Sequence, residues 1–251
     1  MDLGLNDKVA LVAGGSSGLG LAVAAALYAE GAKVSIGGRD PDRLAAAAKH
    51  LGDRTSRVHT RSVDVRDEAA VSAWVDAVVD TYGALHIVVA NCGGPPQGPA
   101  TDFEVADYRD ALENNVLSAV SLVEYALPHL QAAGWGRILF ISSSSARVPI
   151  PTLALSNTAR AAVSGYAKSL VTALGPGEIT VNVLAPGTTR TPRVESLGED
   201  FRKNSEARTP LGRIGEPEEF AAVAAFLAST RASYVTGAVV PVDGGMTQLL
   251  L

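Results

Sequence analysis

Residues 8–20 read KVALVAGGSSGLG, an apolar run that passes directly into a glycine-rich turn. Lys8 to Gly14 is nearly all apolar and ends on glycine, the pattern of a strand buried on both faces. The alanine-rich stretch from Gly18 to Glu30 predicts a helix. Gly14, Gly18 and Gly20 therefore stand where a strand gives way to a helix. Glycine in that place lets backbone amides and the helix N-terminus approach an anion that a Cβ would hold away, and a pyrophosphate is an anion of the right kind. Three glycines alone mark only a tight turn. Their place between a strand pattern and a helix pattern favours a dinucleotide site.

The alternation continues outward from this junction. AKVSIGG (Ala32–Gly38) predicts a second strand, and Pro41–Leu51 a helix with Asp40 as N-cap and Pro41 at its first position. RVHTRSVDV (Arg57–Val65) is a third strand, Asp67–Tyr82 a helix and LHIVVAN (Leu85–Asn91) a fourth strand. A long helical region, Phe103–Ala133, is expected to break at Pro128. GRILFISS (Gly136–Ser143) is a fifth strand, and LALSNTARAAV (Leu153–Val163) opens the next helix. EITVNVLAP (Glu178–Pro186), a helix over Glu216–Ala228 and GAVVPVDGG (Gly237–Gly245) complete the series. This order predicts an α/β fold: a doubly wound parallel sheet of about seven strands, in a single domain over residues 1–251.

Bulk properties narrow the function. A formal charge of −5 with no basic block argues against nucleic acid as a partner. One cysteine, Cys92, leaves no internal disulfide and fits a reducing compartment. The N-terminal MDLGLNDKVALVAGG lacks the basic flank and apolar core of a signal peptide. No apolar run reaches the roughly 18 residues of a membrane span. The expectation is a cytoplasmic protein with no membrane partner. His50, His59, His86 and His129 have no carboxylate or cysteine at a metal-like spacing, so no metal site is expected.

The second strand ends in GGRD (Gly37–Asp40). An acidic residue there would hold ribose hydroxyls, whereas an arginine accepts the 2′-phosphate of NADP. Arg39 favours NADP(H) over NAD(H), with Asp40 read as the cap of the following helix.

With these residues in hand, the chain resembles the short-chain dehydrogenase/reductase family from about Asp7 to Gly245. The carriers are AGGSSGLG (Ala13–Gly20), VDV (Val63–Val65), ANCGG (Ala90–Gly94), ENNV (Glu113–Val116), ISSSS (Ile141–Ser145), NVLAPGTTRT (Asn182–Thr191) and YVTGAVVPVDGG (Tyr234–Gly245). Each is loose alone; their order and spacing are specific. The flavour is that of 3-oxoacyl reductases, and the fold implied is Rossmann-type. The resemblance implies that Gly14, Ser16, Ser17, Gly18, Leu19 and Gly20 surround the pyrophosphate and that Arg39 lies by the adenosine ribose. It further implies that Asp64 and Val65 flank the adenine, and that Asn91 and Gly93 line the cleft. Pro186, Gly187 and Thr191 would face the nicotinamide, with Thr191 the partner of its carboxamide. Cys92 replaces the family's alanine and reads as a small buried packing residue.

The resemblance also implies a catalytic set, and here the chain departs from it. The family uses a serine, a helix asparagine, and a proton-donating tyrosine with a lysine four residues on. Asn115 and Ser143 match the asparagine and the serine. Thirteen residues after Ser143 stands Ser156, and four further on Arg160, where the tyrosine and lysine belong. A serine hydroxyl is far less acidic than a phenol (pKa ~10) and shorter in reach. Arg160 keeps the positive charge and could bind ribose hydroxyls, but it cannot release a proton. Tyr166, ten residues beyond Ser156, sits at another height and face of the helix and reads as a packing aromatic.

Two functions stay open. One is an NADP(H)-dependent oxidoreductase of small carbonyls or alcohols, with an atypical proton donor such as a water held by Ser156. The other is a catalytically degenerate NADP(H)-binding protein acting as a regulatory or partner subunit. The family pattern implies a lid over residues 188–213, whose basic excess hints at an anionic substrate. The loop GGPPQGP (Gly93–Pro99) borders the substrate cleft or is a plain connector. A homotetramer or homodimer is implied, with the apolar tail MTQLLL (Met246–Leu251) a surface for a partner.

Overall fold

The computed structural model describes residues 1–52 and 56–248. Residues 249–251 of the apolar tail lie outside the described residues. Seven strands, β1 (Val9–Ala13), β2 (Lys33–Gly38), β3 (Val58–Ser62), β4 (Ile87–Ala90), β5 (Gly136–Ile141), β6 (Ile179–Pro186) and β7 (Val239–Val242), form one sheet. The order across it is β3-β2-β1-β4-β5-β6-β7 and every neighbouring pair is parallel. The chain winds outward from β1 to β3, then restarts at β4 and winds the other way. Helices leaving β1 and β4 diverge to opposite faces and open a crevice at the strands' carboxyl ends, the place where such sheets bind ligands.

The apolar character of β1 follows from its position. Ala10 and Val12 pack on one face with Val23 and Leu27 of α1 (Gly18–Ala29), Leu44 of α2 (Pro41–Leu51) and Phe220 of α9 (Pro217–Ala228). Val9, Leu11 and Ala13 point to the other face, against Trp74 of α3 (Glu68–Tyr82), Leu122 of α5 (Ser118–Ala132) and Val163 of α6 (Ala154–Leu174). A strand covered on both sides has no polar positions to spare. Trp74 is fully buried and its indole Nε1 donates to Ser35 Oγ at 2.8 Å. A Cβ on Gly37 would fall 2.4 Å from the Trp74 ring, which is why a glycine occupies that strand position.

Two expectations are corrected. Pro128 does not break its helix: α5 runs through it from Ser118 to Ala132. The lost hydrogen bond is offset by burial of Leu122, Val123, Ala126 and Leu130 against the sheet. The interruption comes earlier, where a single π-helical stretch, Glu113–Leu117, joins α4 (Val105–Leu112) to α5. Side chains take up carbonyls along it, Asn115 Nδ2 donating to Ala111 O (2.9 Å) and Ser118 Oγ to Asn114 O (2.6 Å). The third strand also stops at Ser62, so Asp64 and Val65 lie beyond it in a loop. The remaining helices, α7 (Pro192–Glu195) and α8 (Glu199–Arg208), fall within residues 188–213. Among the described residues no helix is long and apolar enough to cross a membrane.

Candidate active site

At the crevice between β1 and β4 the chain turns through Gly14 (φ 58°) and Gly18 (φ 55°), left-handed conformations that favour glycine. Gly20 is required for a different reason: a Cβ there would lie 2.2 Å from Gly14 O. Ser17 precedes α1 without making a side-chain capping bond, and the first turn of that helix carries no acidic residue. The helix's free N–H groups and positive dipole end are left for something else.

What they face is a cleft of about 700 Å³, a size that suits a cofactor. Ser16, Ser17, Gly18 and Leu19 form its floor, and Asn91, Cys92 and Gly93 its β4 side. Arg39, Asp64 and Val65 stand at one end and Thr191 at the other. Most of the residues assigned to a dinucleotide from sequence are thus gathered along one groove. Gly20, Pro186 and Gly187 stand behind it: Gly20 packs under the turn, and Gly187 N donates to Val242 O at 3.0 Å.

Asp40 accepts from the backbone N–H groups of Asp42 (3.0 Å) and Arg43 (3.1 Å), so its carboxylate caps α2, as expected. Arg39 keeps its guanidinium exposed at the cleft, and Arg43, which the sequence reading missed, joins it there. Arg66 hydrogen-bonds Asp64 (3.0 Å), and that bond above all holds the Asp64 carboxyl below its ordinary range.

Beyond the end of β5 the serine run turns back on itself. Ser145 N donates to Ser143 Oγ at 3.1 Å, and Ser145 Oγ lies 3.3 Å from Ser156 Oγ in the first turn of α6. Ser145 and Ser156 therefore form a hydroxyl pair, to which Ser143 is joined through the Ser145 backbone N–H. Ser145 is buried and was missed from sequence, because four consecutive serines give no sign of which one turns toward α6.

Arg160, one turn further along α6, is 7 % exposed. Its Nη1 donates to Ile141 O (2.7 Å) and its Nη2 to Cys92 O (3.4 Å), tying the ends of β5 and β4 together. Asn115 shares this recess, accepting from Cys92 Sγ at 3.2 Å. Cys92 is half-buried rather than buried and contributes to both the recess and the open cleft. Val65 and Asn91 likewise belong to both, so the two spaces share a wall. Tyr166 stays out of the site: its ring meets Phe140 edge-on at 5.9 Å, and burial pushes its phenol up to about 12.

The basic excess of residues 188–213 is largely spent on pairing. Arg190 binds Glu216 (2.9 Å), Arg213 binds Glu219 (2.7 Å), and Arg202 binds Glu199 and Glu206. Arg193 donates to backbone carbonyls. Two of the carboxylates, Glu216 and Glu219, lie outside the segment, so its charge count alone misleads. Among the described residues no cluster of histidine, cysteine or carboxylate groups suits a metal ion.

Comparison with known proteins agrees with this fold. The family described as enoyl-(acyl carrier protein) reductase matches residues 13–247. The chain is 38% identical over 244 residues to the cis-4-hydroxycyclohexanecarboxylate dehydrogenase of Sinomonas cyclohexanicum, covering 96% of this chain and 97% of that one. It is 34% identical to the 3-oxoacyl-(acyl-carrier-protein) reductase of Chlamydia muridarum over 96% and 98% of the two chains. The crystal structure of L-sorbose reductase from Gluconobacter frateurii, complexed with NADPH and L-sorbose, superposes with a TM-score of 0.93 at 32% identity and covers 100% of both chains. By sequence and fold, the chain belongs to the short-chain dehydrogenase/reductase family.

Proposed function

We propose that this chain is an NADP(H)-dependent oxidoreductase that interconverts a small carbonyl, of 3-oxoacyl type, and its alcohol. The observation that carries the reading is the uncapped start of α1 facing a cleft with Arg39 and Arg43 at its far end. Gly14, Ser16, Ser17, Gly18, Leu19 and Gly20 would form the pyrophosphate turn, and Asp64 and Val65 the adenine wall. Arg39 would hold the 2′-phosphate through charge-assisted hydrogen bonds. Asn91, Gly93, Pro186, Gly187 and Thr191 would position the nicotinamide. NADPH in the sorbose reductase structure supports the choice of coenzyme.

A bound nicotinamide coenzyme supplies or accepts the hydride; this chain must polarise the oxygen and move a proton. Ser143 Oγ already accepts the Ser145 N–H, which polarises its own O–H toward donation to the substrate oxygen. Ser156 Oγ, held by Ser145 Oγ, is too short to replace a phenol directly. It would orient a water that gives a proton to the oxygen and regains one from bulk water. Arg160 and Asn115 keep the recess beneath in shape, and the fixed guanidinium charge favours an oxyanion nearby. Residues 1–251 would act as a single domain with its lid over residues 188–213, assembled in the cytoplasm as a homotetramer or homodimer, as the family resemblance and the lone cysteine suggest.

The test is coenzyme oxidation by the purified protein against a panel of 3-oxoacyl and other small ketones, with NADPH and NADH in parallel. NADPH-linked turnover is expected, with the preference over NADH falling about tenfold or more in Arg39→Ala, the loss of a charge-assisted contact. Tight NADPH binding with no turnover on any ketone would replace this reading with that of a regulatory or partner subunit. Failure to bind either coenzyme would overturn both.

A further inference from the structure

The loop Gly93–Pro99 and helix α7 approach each other across the mouth of the cleft. Arg193, in α7, donates from Nη1 to Gly94 O (2.8 Å) and from Nη2 to Pro95 O (3.0 Å). A second observation concerns the loop itself. A Cβ on Gly94 would lie 2.4 Å from Arg193 Nη1, so a side chain there would push the guanidinium off the loop. Both groups line the cleft, Gly94 from the β4 side and Arg193 from the lid.

The contact has anchors at each end. On the lid side, Thr191 precedes α7 and accepts from Val194 N (3.4 Å), while its Cγ2 would lie 3.4 Å from a Cβ on Gly18 of the pyrophosphate turn. On the loop side, Gly98 N donates to Thr152 O (2.7 Å) and Ala154 N to Gly98 O (3.2 Å), at the start of the helix that carries Ser156. A continuous strap therefore runs from above the turn, through Arg193 and the Gly94–Gly98 loop, to the start of α6. A fork of two N–H groups holding two successive carbonyls is a contact that a lysine cannot reproduce.

We propose that Arg193 is the latch of this strap: its release from Gly94 and Pro95 opens the cleft, so it governs how fast the coenzyme leaves. This rests on the dinucleotide reading of the cleft, and the experiment separates the two. Arg193→Ala, Arg193→Lys and Gly94→Ala are compared with the parent in the full-length chain. Amide hydrogen exchange of residues 93–99 and 191–196, without coenzyme, reports the latch. Stopped-flow displacement of NADPH reports its release. Arg193→Ala and Gly94→Ala are expected to raise exchange in both segments and speed NADPH release about tenfold, the effect of losing one charge-assisted contact net of solvation, with Arg193→Lys in between. Unchanged exchange and unchanged release would overturn the latch. Faster release with unchanged exchange would overturn it too, making Arg193 a direct coenzyme ligand. Raised exchange in a protein whose parent binds no NADPH would keep the latch and remove the dinucleotide reading.

Discussion

The turn after β1 and the first turn of α6 lie at the same carboxyl edge of the sheet, but different parts of the residues decide them. At the first, Gly14, Gly18 and Gly20 matter for the side chains they lack: two take left-handed backbone and the third lies under a carbonyl. At the second, everything depends on which side chain stands at Ser143, Ser145, Ser156 and Arg160 and how far it reaches. A backbone requirement tolerates few residue types. A side-chain requirement allows the scaffold to persist while its chemistry changes. On the proposed reading, this is how a chain of this family could keep a dinucleotide turn while its proton-donating pair is replaced.

The contrast is most sharply broken at Gly20. Gly20→Ala places a Cβ within 2.2 Å of Gly14 O, and backbone rather than a flexible side chain must yield. A loss of roughly 1–3 kcal/mol in stability is expected from such overpacking, with NADPH affinity falling at least tenfold. Urea unfolding and fluorescence titration check this. A variant as stable and as tight as the parent would mean that the turn is not backbone-limited.

A smaller effect calibrates the region outside both sites. The Glu219 carboxyl is pulled down to about 2, first by its hydrogen bond to Arg213 and then by the Glu216 N–H. A carboxyl lowered on folding stabilises above its unfolded value, near 4.5, and that contribution fades as pH falls toward 2. Glu219→Gln should lower Tm slightly at pH 7, with the difference from the parent closing between pH 4.5 and about 2. The pair is exposed, so the shift will be small. A difference that persists unchanged to the acid end would show that packing, not charge, is what Glu219 contributes.

The sequence made the first region legible and only outlined the second. The strand–turn–helix pattern around Gly14–Gly20 and the Asp40–Pro41 cap are local signals, and the structure has both. Pro128 misled because its cost is local while the burial that offsets it is tertiary. The π-helical stretch that presents Asn115 has no local signature, since its carbonyls are taken up by side chains that look ordinary in sequence. The role of Ser145 depends on the path of the chain after β5, and the grip of Arg193 joins residues 99 apart. The arginines of residues 188–213 looked like an anion site only because Glu216 and Glu219 lie beyond the end of that segment.

In the proposed mechanism proton delivery passes through Ser156, held by Ser145, with no phenol, and coenzyme binding does not depend on it. Ser156→Ala, assayed for NADPH-linked ketone reduction and for NADPH affinity on the same preparation, tests it most directly. A fall in kcat of ~10²–10⁴ is expected, the worth of positioned proton transfer, with Kd for NADPH within about threefold of the parent. An unchanged kcat would contradict it.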